Sequence, residues 1–195
     1  MAGGSVIAWW LPAPWLDWQP ALARTEPWRA FTAAFVHWSA LHLAANLGAA
    51  AAVAAYGAAA GLPRGAALAW VLAWPLTQIG LLTQPLLLHY GGLSGVLHGG
   101  VAVACLWLLV RGSGGRRAIG AMVMTGLFIK LGLEQPWGPP LRTGEGFDIA
   151  TAPLAHATGA VAGLACAALW LALSARRARR ARRARRARRA RRERR

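Results

Sequence analysis

"HYGGLSGVLHGG", residues 89–100, sets a single serine among five glycines and two histidines at the mouth of an apolar run. Each glycine inside a helix costs about 1 kcal/mol relative to alanine. Polar groups without partners in a lipid environment cost several more. Such a segment is a poor plain span, so its glycines, Ser94 and His98 need a reason to be there. That reason depends on whether the segment lies in a membrane.

Composition answers that question. Hydrophobic residues make up 56% of the 195-residue chain and charged residues only 14%. A soluble domain carries nearer a quarter. The charge is also uneven: of the formal net +16, the segment Arg176–Arg195 holds 14 arginines and one glutamate, a net +13. The remainder is a set of long apolar stretches separated by Gly, Pro and Arg breaks, which specifies an all-α polytopic membrane protein. A span takes about 20 apolar residues, and five segments qualify: Val36–Gly57, Gly65–Leu88, Leu93–Val110, Ile119–Leu133 and Ile149–Leu173. Ahead of them, "SVIAWWLPAPWL" is apolar but short and broken by Pro12 and Pro14, a partial or truncated first span. Residues 1–174 therefore read as a membrane domain and 175–195 as a polybasic low-complexity tail. Tryptophans including Trp9, Trp10, Trp15, Trp18, Trp28, Trp38 and Trp137 suit the membrane–water belt. No charged n-region with a cleavage site is present, so a removable signal peptide is not expected.

Arginine placement orients the chain. A tail this basic stays in the cytoplasm, and the breaks at Arg64 and Arg111–Arg117 then fall inside as well. The loops at 17–35, 85–92 and 134–148 fall outside and hold every acidic residue except Glu193. Counted outward from the cytoplasmic border, Ser94, His156, Asn46 and His42 lie about 26 to 33 Å away at 1.5 Å per residue. They share one layer, a little below the outer surface. Polar residues inside a membrane mark a functional site by default.

The chemistry of that layer is nucleophilic. A serine hydroxyl attacks only when a base removes its proton, and histidine is the usual base near neutral pH. His156 is the only histidine of the last span. Gly159 and Gly163 on its helix, and Gly95 and Gly99 on the serine helix, form small faces that let backbones approach closely. With no acid recognised near His156, the expectation is a Ser–His dyad rather than a triad. His42 and Asn46, at i and i+4 on one helical face, can donate to a developing oxyanion. So can the backbone N–H groups of Leu93 and Ser94 at the helix start.

On these residues the chain resembles the rhomboid intramembrane serine proteases. The resemblance covers residues 26 to about 174. Trp28 and Arg29 match an outer-loop Trp-Arg element, and His42 and Asn46 a His-xxx-Asn pair. Gly92 and Ser94 in "GLSG" match Gly-x-Ser-Gly; His156, Gly159 and Gly163 match His-xxx-Gly-xxx-Gly. The resemblance implies a six-helix core, a Ser–His dyad and hydrolysis of a peptide bond in or near another protein's transmembrane helix. "GGLSGVLHG", "IKLGLEQPWG" and the compact chain are most similar to rhombosortases, bacterial inner-membrane members. That branch implies clients carrying a C-terminal sorting tag of small residues (Gly-Gly type), a transmembrane helix and a basic end. Two features depart from the family: the short first span, and His98 where many members stack an aromatic residue on the histidine.

Other readings compete. The fold can bind transmembrane clients without catalysis, or its histidines can ligate haem or a metal, for which only His42, His98 and His156 come near one depth. No cofactor is implied, and two cysteines give no zinc-cluster spacing; Cys105 and Cys166 read as buried free thiols. Lys130 and Glu134, four apart, read as a local ion pair at the outer end of the fifth span, and His37 and His89 as interfacial. The arginine tail suits anionic lipid headgroups. It lacks the aromatic residues that stack nucleic-acid bases.

Overall fold

The computed structural model of the chain describes residues 1–144, 146 and 148–193; Glu145, one of the outer-loop acids, lies outside them. The described residues form seven α-helices: α1 (Ala2–Ala8), α2 (Arg29–Thr32), α3 (Ala40–Ala59), α4 (Arg64–Gly80), α5 (Ser94–Arg111), α6 (Gly114–Glu134) and α7 (Pro153–Glu193). Among the described residues there is no strand, only isolated bridges. The protein is a helical bundle of polytopic membrane type.

Helix ends follow local chemistry and shift several expected borders. Ser39 caps α3, its Oγ accepting the His42 amide at 3.0 Å. Past α4 the chain tightens into a 3₁₀ turn over Leu81–Thr83 and leaves the helix before Leu88. Pro85 explains this: it biases Gln84 away from the helical region, and Gln84 sits at φ −118°, ψ 86°. Pro153 opens α7 four residues later than expected, a position where its missing N–H costs nothing. The helix then runs unbroken past residue 174 into the arginine tail. Near the N-terminus, α1 is only seven residues, about 10 Å, and does not cross a membrane.

Among the described residues four helices are long and apolar enough to span: α3, α4 with its 3₁₀ extension, α5 and α7. The fifth expected span, α6, has the length, 21 residues, but not the apolarity. Its first turns are Gly114, Gly115, Arg116 and Arg117, and Lys130 and Glu134 lie in its last turns.

Helix α5 is the centre of the bundle, packing on α3, α4, α6 and α7. Its closest neighbour is α7, where the two backbones touch. A methyl group at Gly159 would overlap the Gly95 carbonyl, and one at Gly163 the Gly99 carbonyl. Outward-facing Leu68, Leu72, Met122, Ile129 and Leu169 stay exposed, an apolar belt suited to lipid. One end of the bundle gathers the basic breaks: Arg116 reaches from α6 to the Ala60 carbonyl at 2.6 Å. At the other end, Trp18 and Tyr90 exchange backbone hydrogen bonds of 2.7 and 2.9 Å. Trp18 is 1% exposed, so it is core and not part of an interfacial belt. Trp10, Trp15, Trp28 and Trp137 are exposed.

Candidate active site

Ser94 is the first residue of α5, and the turn before it is held from three sides. The Gly92 amide donates to the Ala33 carbonyl at 2.9 Å. Gly92 has φ +129°, and a Cβ there would sit 2.8 Å from His42 Nε2. Only glycine meets both demands. The buried Tyr90 hydroxyl donates to the Gly92 carbonyl at 3.4 Å. Burial pushes its pKa up to about 12, so it remains a neutral donor.

His156 lies one turn into α7. The glycine crossing of α5 and α7 brings its Nε2 to 2.9 Å from Ser94 Oγ. The neighbouring Thr158 hydroxyl donates to the Thr77 carbonyl at 2.9 Å, tying α7 to α4. His98, one turn along α5, stacks on the His156 ring with centroids 4.3 Å apart and planes 15° from parallel. Its Nδ1–H donates to the Ser94 carbonyl at 2.6 Å.

The expectation that no acid approaches His156 is corrected here. Glu134 Oε2 lies 2.8 Å from His156 Nδ1. The other carboxylate oxygen pairs with Lys130, the local ion pair that the spacing predicts, so the residue has two partners where the spacing shows one. The missing signal was depth. Glu134 stands 17 residues from Arg117, just as Ser94 stands 17 from Arg111, about 26 Å at helical rise. Arg142 Nη1 donates to the Glu134 carbonyl at 2.8 Å, satisfying an orphan carbonyl at the end of α6.

His42 and Asn46 are both buried on α3, facing Gly92. His42 Nδ1 accepts the Trp38 amide at 3.4 Å, which leaves the ring proton on Nε2. Asn46 Nδ2 is buried with no hydrogen-bond partner. Two donors thus point at the serine turn, one of them unsatisfied, which a buried amide tolerates only at a cost. The His37 ring packs against His42, centroids 4.7 Å apart and planes tilted by 58°, and burial lowers its pKa. His89 Nδ1 lies 2.6 Å from Asp17 Oδ2.

Asp17 has a fully buried side chain, and Arg29 reaches it at 3.1 Å. Arg29 also donates to Glu26 at 2.5 Å and to the Pro14 and Asp17 carbonyls, both at 2.9 Å. The outer segment before α3 is therefore organised around Arg29. Its neighbour Trp28 is half exposed and takes no part. Cys105 is buried against the Tyr56 hydroxyl and Cys166 is half-buried; both are free thiols.

A cavity of about 280 Å³ opens over these groups, lined by His42, Asn46, Ser94, His98, Glu134 and His156 among others. Beside it an apolar groove of about 400 Å³ runs between α3 and α6, with Ala49, His98 and Lys130 bordering both. The histidines do not converge on a point: His98 and His156 stack, and both His156 nitrogens are engaged. Among the described residues no group of three or more His, Cys, Asp or Glu is placed to hold a metal ion.

A family model described as Rhomboid domain matches residues 24–173, and a comparison with curated proteins finds no match. The match covers every residue of the layer just described. The chain belongs to the rhomboid family, whose members are intramembrane serine proteases.

Proposed function

We propose that this rhomboid-family protein is a working endopeptidase whose nucleophile is Ser94 and whose general base is His156. The observation that carries the reading is the 2.9 Å approach of His156 Nε2 to Ser94 Oγ at the floor of an open cavity. This distance is within reach for proton transfer. Ser94 Oγ bonds to the scissile carbonyl carbon as its proton passes to His156 Nε2. The tetrahedral oxyanion takes hydrogen bonds from His42 Nε2, Asn46 Nδ2 and the backbone N–H groups of Leu93 and Ser94. His156 then returns the proton to the departing amine nitrogen as the C–N bond breaks. Water, deprotonated by the same ring, hydrolyses the acyl-enzyme and regenerates Ser94.

The client is a transmembrane helix. A helical peptide bond is shielded by its own hydrogen bonds and must unwind to reach Ser94. Small residues, glycine above all, make unwinding cheapest. The groove between α3 and α6 supports lateral entry of such a chain, and the narrow turn at Gly91 and Gly92 supports small side chains at the cut. We assign the protein to the rhombosortase branch. Its clients are bacterial proteins with a C-terminal Gly-Gly-type tag, a span and a basic end. It sits in the inner membrane with the C-terminus cytoplasmic and the site towards the periplasm. The arginine tail binds anionic headgroups.

The test is reconstitution of the full chain in nanodiscs with a tagged client, followed by mass spectrometry and by labelling with a fluorophosphonate probe. Cleavage and labelling in the native protein, both lost in Ser94→Ala, are expected. His156→Ala should lose them with the fold retained. Undiminished turnover in Ser94→Ala would rule the mechanism out.

A further inference from the structure

The glutamate on α6 adds a third side chain to the pair. We propose that Glu134 is a positioning residue: it accepts a hydrogen bond from His156 Nδ1–H, fixes the base in its reactive tautomer, and makes the site a Ser94–His156–Glu134 triad. The inference rests on the protease reading, but its physical core, the state of one imidazole ring, does not depend on turnover.

For His156 Nε2 to accept the serine proton it must be bare, so the neutral ring must carry its hydrogen on Nδ1. A partner that only accepts hydrogen bonds imposes that choice. Glu134 Oε2, at 2.8 Å, is such a partner. When the ring becomes an imidazolium during attack, the same carboxylate faces the new charge and stabilises it without itself being protonated. Glu134 is held from two other directions: Lys130 on its second oxygen and Arg142 on its backbone carbonyl at 2.8 Å. Its side chain is 26% exposed and that of His156 10%, so the pair is shielded but not sealed from water. His98, stacked on the other side, spends its Nδ1–H on the Ser94 carbonyl and leaves the Nδ1 position of His156 to Glu134 alone.

The ion pair with Lys130 makes the test sharp. Lys130 is a donor only, so in Glu134→Gln it retains the amide oxygen and turns the NH₂ towards His156 Nδ1. That NH₂ is a donor too, and it drives the ring proton to Nε2, the unreactive tautomer. In soluble triads the corresponding acid-to-amide change lowers kcat by about 10⁴. For this partly exposed carboxylate we expect about 10²–10³ in kcat. Lys130→Met in the Glu134→Gln background frees the amide to rotate and should recover part of the loss.

Thermal stability and the ring tautomer together separate positioning from mere support. A residue that only braces the end of α6 would change thermal stability in Glu134→Gln and leave the tautomer of His156 unmoved.

Ring ¹⁵N NMR of histidine-labelled full-length protein in nanodiscs, with His156→Ala for assignment, reads the tautomer directly. The expected result is Nδ1–H in the native protein and Nε2–H in Glu134→Gln. An unchanged tautomer and an unchanged kcat in Glu134→Gln would overturn the inference while leaving the protease reading intact. Conversely, a tautomer switch in a protein that fluorophosphonate never labels would support Glu134 and remove the protease reading.

Discussion

Gly159→Ala tests how far the site depends on the contact of two backbones. The added methyl overlaps the Gly95 carbonyl, one residue from Ser94. To restore van der Waals distance, α5 and α7 must part by about 1 Å. The Ser94–His156 hydrogen bond, 2.9 Å in the native protein, then stretches towards 4 Å, outside the range for proton transfer. A displacement of that size costs about 10² in turnover. Overpacking of the interface adds about 1–3 kcal/mol of destabilisation. The assay is client cleavage and fluorophosphonate labelling in nanodiscs, with thermal unfolding alongside. Gly48→Ala on α3 is the control, because a Cβ there meets nothing within 4 Å; it should retain turnover. Native turnover and stability in Gly159→Ala would refute the claim that the crossing sets the Ser–His distance.

Other outcomes follow from the same contacts. Asn46→Ala should lower turnover by about 10²–10³ with unchanged labelling competence, as loss of one oxyanion donor does elsewhere; no kinetic effect in an Asn46→Ala, His42→Phe double variant would return both residues to packing. Arg29→Met leaves Asp17 buried with only Gln19 and His89; unfolding measurements should find a loss of about 3 kcal/mol, the low end for a broken buried pair. In a client, replacing the small residues at the outer boundary with leucine or valine should suppress cleavage at that bond, read by mass spectrometry; undiminished cleavage there would leave a general rhomboid rather than a rhombosortase.

The parts of this site visible in the chain were those encoded along one helix. Gly95 and Gly99 opposite Gly159 and Gly163 announce a close crossing because the spacing of four places them on one face. His42 and Asn46 are legible for the same reason. What stayed hidden was pairing between helices whose spacing carries no sign of it. Glu134 had an obvious partner at Lys130, and that local explanation concealed a second one on α7. Trp18 looked like its exposed neighbours Trp15 and Trp28, yet Tyr90, 72 residues away in sequence, holds its backbone. The apolar stretch Ile119–Leu133 is only part of α6, and Arg116, Arg117, Lys130 and Glu134 make the whole helix too polar to rank with the other four.

The four helices that meet at Ser94 are not equally fixed. Helix α7 is pressed against α5 by glycine contacts and tied to α4 through Thr158, whereas α6 packs broadly on α5 and only sparsely on α7. At this end of the bundle the link from α6 to α7 runs through Glu134 and His156. An outward movement of α6, the direction that widens the groove beside α3, therefore lengthens the Glu134–His156 bond first and leaves the Ser94–His156 bond in place. Ser94 and His156 belong to the closely packed pair α5 and α7, and Glu134 belongs to the helix bordering the groove. Because α6 and α7 share few other contacts, the ring tautomer of His156 is the quantity most sensitive to where α6 lies.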